Sequence, residues 1–156
     1  MPATAPPPRP RRRAKPTLVV KFPSETSYLA MVRELTKKMA ETAGFPEATA
    51  DRLALAVDEA TTNVIEHAYK GAADQEVELR FEDRGPEFRV ELIDTGKMVD
   101  PRSVPRVDLE RFVTERRTGG LGMHLMEKIM DSVTYRRSAR RNVCLLVKRK
   151  DEAPVP

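Results

Sequence analysis

At about 100° per residue along a helix, Glu59, Asn63, Glu66 and His67 fall on one polar stripe, beside an apolar stripe of Leu53, Val57, Ala60 and Val64. A carboxylate, an amide and an imidazole on one face can do chemistry, but a solvated helix face carries the same residue types. A second cluster is Leu92-Ile93-Asp94-Thr95-Gly96, an aspartate ending an apolar run with a glycine close behind. That carboxylate can accept hydrogen bonds from an exocyclic amine such as adenine's, and the glycine lets a ligand approach the backbone. A strand-ending turn uses the same Asp-x-Gly. The third cluster, Thr118-Gly119-Gly120-Leu121-Gly122, opens an apolar segment, so its N–H groups and the helix dipole favour an anion such as phosphate. An ordinary glycine-rich turn is the alternative, and no Gly-x-x-x-x-Gly-Lys-Ser/Thr is present. His67 and His124 read first as packed or surface histidines, and Cys144, inside an apolar run, reads as core.

The elements that must position these clusters follow from pattern and punctuation. Residues 17 to 22 have the β-branched and aromatic content of a strand that Pro23 stops. Ser24 then caps a helix in which Tyr28, Met31, Val32, Leu35 and Met39 recur at helical spacing until Gly44. Pro46 and Glu47 open a second, long helix that runs through Tyr69 and stops near Gly71. Two antiparallel strands, Glu76 to Glu82 and Glu87 to Ile93, alternate apolar and charged residues around Asp83-Arg84-Gly85-Pro86. A long charged loop from Thr95 to Thr118 offers only a short helix around Leu109 to Val113, and loops of that length usually serve a function. A third helix, Leu121 to Met130, and strands Ser132 to Arg137 and Asn142 to Lys148 complete the order. It predicts a two-layer α/β sandwich, a mostly antiparallel sheet with helices on one face.

Composition sets outer bounds. A chain of 156 residues with 40% hydrophobic content is one domain's worth and can bury roughly 70% of its unfolded surface. One cysteine forms no internal disulfide, and with two histidines it cannot build a closed zinc site of four cysteine and histidine ligands. No apolar run approaches the roughly 18 to 20 residues that span a bilayer, and no apolar core follows the N-terminal charges as in a secretory signal, so a cytoplasmic setting is expected. Arg9, Arg11, Arg12, Arg13, Lys15 and Lys21 account for the formal charge of +4; setting these six aside leaves 22 basic against 24 acidic residues. With Pro6-Pro7-Pro8-Arg9-Pro10, residues 1 to 16 read as a disordered basic tail, solubilising rather than nucleic-acid binding because it has no interleaved aromatics.

Taken in order, the three clusters resemble the GHKL ATPase superfamily with its Bergerat ATP-binding fold, over about residues 17 to 150. The run Glu59-Ala60-Thr61-Thr62-Asn63-Val64-Ile65-Glu66-His67-Ala68-Tyr69 is similar to its N box. Asp94-Thr95-Gly96 is similar to its G1 box, with Met98 where a second glycine is usual, and Gly119 through Met126 to its G2 box. His67-Ala68-Tyr69, Val99-Asp100-Pro101, the stretch Met130 to Tyr135 and Arg141-Asn142-Val143 are similar to the anti-sigma-factor serine/threonine protein kinases within it. Ser138-Ala139-Arg140 stands where that group usually has glycines.

The resemblance implies residue roles. Asn63 would hold Mg2+ against the phosphates of ATP, and Glu59 would be the general base toward a substrate serine or threonine. Asp94 would bind the adenine amine, Gly96 would admit the ring, and Gly120 through Gly122 would receive phosphate oxygens. His67, Thr118, Gly119 and Leu121 join the nucleotide-binding set. Lys97 to Thr118 would be a lid over ATP from which Arg116 or Arg117 offsets phosphoryl charge, Arg117 being carried as the catalytic position. The implied partners are a STAS-domain anti-sigma factor antagonist as substrate, a sigma factor and a second copy of the chain, with no membrane. Residues 17 to 150 would form the kinase domain and 151 to 156 a disordered end. The alternative is a non-catalytic module that binds nucleotide and sequesters a regulator. A third reading, nucleic-acid binding through the tail and Arg136, Arg137, Arg140 and Arg141, is weaker, since such clusters are usually solvated turns.

Overall fold

Alternation builds the sheet. In the computed structural model, which describes residues 18–98 and 121–151, Val77, Leu79 and Phe81 on one strand and Phe88, Val90 and Leu92 on the next are buried on the same face. Each fully buried side chain of this size contributes about 1.5–3 kcal/mol. The strands are β1 (Leu18–Pro23), β2 (Glu76–Asp83), β3 (Glu87–Asp94), β4 (Ser132–Ser138) and β5 (Arg141–Arg149). They are antiparallel throughout, in the order β1-β2-β3-β5-β4. This register sets Asp94 opposite Asn142, two residues far apart in the chain.

Helices α1 (Leu29–Thr42), α2 (Glu47–Asn63) and α3 (Leu121–Ile129) join these strands in one core that includes Val32, Leu53, Val57 and Met126. The apolar stripe read from the sequence, Leu53, Val57, Ala60 and Val64, is buried along its length. The predicted two-layer α/β sandwich is the one observed.

Two local expectations are corrected. Ser24 caps no helix: a 3-10 turn, Thr26–Tyr28, precedes α1, while the buried Ser24 hydroxyl donates to the Ala72 carbonyl at 2.5 Å and accepts from the Gln75 N–H at 3.1 Å. A long-range partner outcompetes the local cap. The second helix also does not stay α-helical through Tyr69. It is α to Asn63 and then widens into a π-helix, Val64–Ala68, in which the Tyr69 N–H reaches the Val64 carbonyl at 2.9 Å. The tail of residues 1 to 16, the segment around Leu109 to Val113, most of the candidate lid, and Arg117, Thr118, Gly119 and Gly120 lie outside the described residues.

Candidate active site

The end of β3, the start of β5 and the C-terminal half of α2 enclose a cleft of about 490 Å³, its open mouth included. Ala60, Asn63, Val64 and Ala68 line one wall, and Leu92, Asp94, Asn142 and Cys144 form the floor. Lys97, Met98 and Tyr135 stand at its margins. Alternation places Leu92 and Asp94 on the same face of β3, so the carboxylate ends an otherwise apolar floor.

Asp94 is 6% exposed, yet it has donors. Its Oδ1 accepts from the Gly96 N–H at 2.8 Å and from Asn142 Nδ2 at 2.9 Å, and the same Nδ2 donates to the Gly96 carbonyl at 2.9 Å. Gly96 has a second reason to be glycine besides access for a ring. A Cβ there would lie 2.6 Å from the Ala68 carbonyl oxygen, because the Lys97 N–H donates to that oxygen at 3.0 Å. The π-turn is thus stitched to the end of β3. Tyr69 completes the join: its hydroxyl donates to the Glu76 carbonyl at 2.7 Å and accepts from the Thr95 N–H at 2.9 Å.

Past the α2 wall of the cleft, α2 packs on α3. Asn63, half-buried, makes no side-chain hydrogen bond among the described residues, which leaves its amide oxygen available to a cation. One turn earlier, the Glu59 carboxylate packs on the first turn of α3 so closely that a Cβ on Gly122 would overlap it. Partial burial, then the neighbouring charges of Asp58 and Glu66, hold the Glu59 pKa above the ordinary carboxylate value. This is the environment of a proton acceptor. Among the described residues no cluster of three or more His, Cys, Asp or Glu side chains could hold a metal ion. An amide oxygen plus phosphate oxygens and water nevertheless suits Mg2+, which keeps several waters.

The structure therefore brings Asn63 and Asp94 into one cleft, ties Gly96 to Asp94 and Asn142 beside it, and packs Glu59 against Gly122. His67 is exposed and does not line the cleft. Leu121 begins α3. His124 is half-buried, with a buried Nε2 that has no partner. Cys144 is buried, and burial pushes its thiol up to about 12, which removes it as a nucleophile. Arg136 and Arg141 pair with Glu91 at 3.5 Å and Glu78 at 2.8 Å, so two of the four arginines proposed for nucleic acid already face acids. Sequence reasoning missed Tyr69 and Asn142 as site residues. Both lay within quoted motifs, but only the strand register shows what they touch.

An antiparallel sheet with helices on one face and a cleft between α2 and an aspartate-ended strand defines a histidine-kinase-like ATPase domain, and the model of that family matches residues 22–148. Serine-protein kinase RsbW of Bacillus licheniformis is 32% identical over 129 residues, covering 78% of this chain and 79% of the relative. The Bacillus subtilis protein of that name is 32% identical over 121 residues, covering 73% and 74%. A Mycobacterium tuberculosis structure of RsbU and RsbW domains shares the fold, with a TM-score of 0.57 and 17% identity across 86% of this chain and 32% of that one. The chain belongs to the histidine kinase-like ATPase domain family and, within it, to the RsbW serine-protein kinases. It is an ATP-using protein-serine/threonine kinase. No helix among the described residues is long and apolar enough to cross a membrane.

Proposed function

We propose that this kinase is a cytoplasmic, homodimeric anti-sigma factor in a partner-switching circuit, and that it phosphorylates a STAS-type antagonist on serine or threonine. One observation carries the reading: a single cleft holds a buried carboxylate, Asp94, and an uncommitted amide, Asn63, and the raised carboxylate of Glu59 lies one helical turn before that amide. Asp94 accepts the adenine amine. Asn63 would hold Mg2+ through its amide oxygen, and the ion would supply charge neutralisation for the phosphates near Glu59 and Glu66.

Glu59 takes the proton from the substrate hydroxyl as its oxygen bonds to the γ-phosphorus. The bond from that phosphorus to the bridging oxygen breaks, and ADP leaves. Arg117 and the amides of Thr118 to Gly122 are the groups we assign to the transferring phosphates. Unmodified antagonist displaces the sigma factor, and phosphorylation frees the kinase to hold it again.

Transfer of labelled γ-phosphate to a STAS-domain substrate tests this. The parent should transfer, and Glu59→Gln should lose about 10²–10⁴-fold in rate while keeping nucleotide affinity. Asn63→Ala should bind ATP with little response to magnesium. Transfer by Glu59→Gln at the parent's rate would remove Glu59 from the mechanism. ATP binding by a parent that transfers nothing would favour the nucleotide-dependent sequestering module instead.

A further inference from the structure

Asn142 faces Asp94 across the strands β5 and β3, and its Nδ2 donates to Asp94 Oδ1 and to the Gly96 carbonyl, each at 2.9 Å. Both partners are acceptors only, so the amide has one usable orientation. In that orientation its Oδ1 is buried without a partner. An unpaired buried acceptor is a stability cost, and a buried polar group left so calls for a functional explanation. The Gly96 N–H adds a second donor to the same Asp94 oxygen at 2.8 Å. Asp94 Oδ1 is thus doubly bonded, while Oδ2 makes no hydrogen bond among the described residues.

We propose that Asn142 is the positioning residue that gives the cleft its preference for a 6-amino purine: by clamping Asp94 Oδ1 it leaves Oδ2 as the one carboxylate acceptor for the base. This rests on the assignment of Asp94 to the base. A 6-amino group donates to Oδ2, whereas a 6-oxo purine sets an acceptor against it. Without the clamp only the Gly96 N–H fixes the carboxylate plane, which then ranges over its broad terminal torsion and meets the amine less squarely.

The test compares binding of ATP and of purine riboside triphosphate, which lacks only the 6-amino group, by calorimetry on the full chain. Both ligands carry the same triphosphate and sugar, so the ratio of affinities isolates the amine. The parent should favour ATP by roughly tenfold or more, the scale of one hydrogen bond to a charged group. In Asn142→Leu, where the Gly96 N–H still holds Asp94 Oδ1, the ratio should fall by about threefold or more. The Asn142→Asp variant supplies a second, independent readout. Its paired carboxyls should show a low ratio at pH 8 and regain the parent's toward pH 5.5, where one of the pair holds a proton and its O–H replaces the amide donor.

A parental ratio in Asn142→Leu, with both ligands weakened equally, would make Asn142 merely structural and overturn the proposal. If Asn142→Leu does not fold, a pH-independent ratio in Asn142→Asp does the same. A parent that binds both triphosphates equally removes Asp94 from base recognition and this proposal with it. A parent that binds neither overturns the proposed function as well.

Discussion

At the base end of the cleft, Asp94 Oδ1 takes two hydrogen bonds, the Tyr69 hydroxyl joins the starts and ends of two strands, and the Ala68 carbonyl holds Lys97. At the phosphate end, Asn63 makes no side-chain hydrogen bond among the described residues, and Glu59 is held by packing on Gly122 amid the charges of Asp58 and Glu66. The first end is organised before a ligand arrives, so little ordering remains to be done on binding. The second has an open amide near the carboxylates of Glu59 and Glu66, while Asp58 pairs with Arg33 at 3.1 Å, and on the proposed function a cation and phosphates would complete it. On the proposed function, recognition is built in, and chemistry is assembled on demand.

The sharpest way to break this contrast is Asp94→Asn, which removes the buried charge while keeping a similar shape. ATP affinity should fall about a hundredfold, as for a charge-assisted hydrogen bond lost in a dry site, and calorimetry reads it directly. Undiminished affinity would mean that the floor does not read the base. Gly96→Ala attacks the same end through packing. A Cβ 2.6 Å from the Ala68 carbonyl oxygen forces the π-turn and the end of β3 apart, and thermal denaturation should show a loss of about 1–3 kcal/mol.

Acid titration probes the phosphate end. Because the Glu59 pKa is raised in the fold by burial, then by Asp58 and Glu66, the folded chain holds that proton more tightly than the unfolded one. The Glu59 contribution to stability is therefore lost as pH rises from the ordinary value of 4.5 through the raised one. Glu59→Gln should be more stable than the parent at pH 7, with the gain vanishing below pH 4.5; a gain that persists in acid would contradict this. The smallest effect is expected in the turn between β4 and β5. Ala139 there has a φ of +54°, and Ala139→Gly should add about 0.5–1 kcal/mol without altering nucleotide binding.

Much of the fold was legible because alternation and punctuation are local. Val77-x-Leu79-x-Phe81 announces β2, and Pro46 and Glu47 announce α2. Ser24 was misread because its hydroxyl bonds 48 residues away, beyond the reach of capping rules. Asp94 and Asn63 stand out by type and position, whereas Asn142 and Tyr69 become site residues only through the β3–β5 register and the π-turn. The contact of Glu59 with Gly122 joins residues on separate helices, and no periodicity encodes it.

The widened turn at Val64–Ala68 holds one residue more than α-helical winding needs between the same two ends. The Tyr69 N–H still closes on the Val64 carbonyl across that extra residue, so the surplus is absorbed inside the turn. Losing one residue between Val64 and Ala68 would close the same bond as an ordinary α-turn and keep the Tyr69 hydroxyl near the Glu76 carbonyl and the Thr95 N–H. The same single-codon deletion earlier in α2, where winding is regular, would rotate everything after it by about 100°.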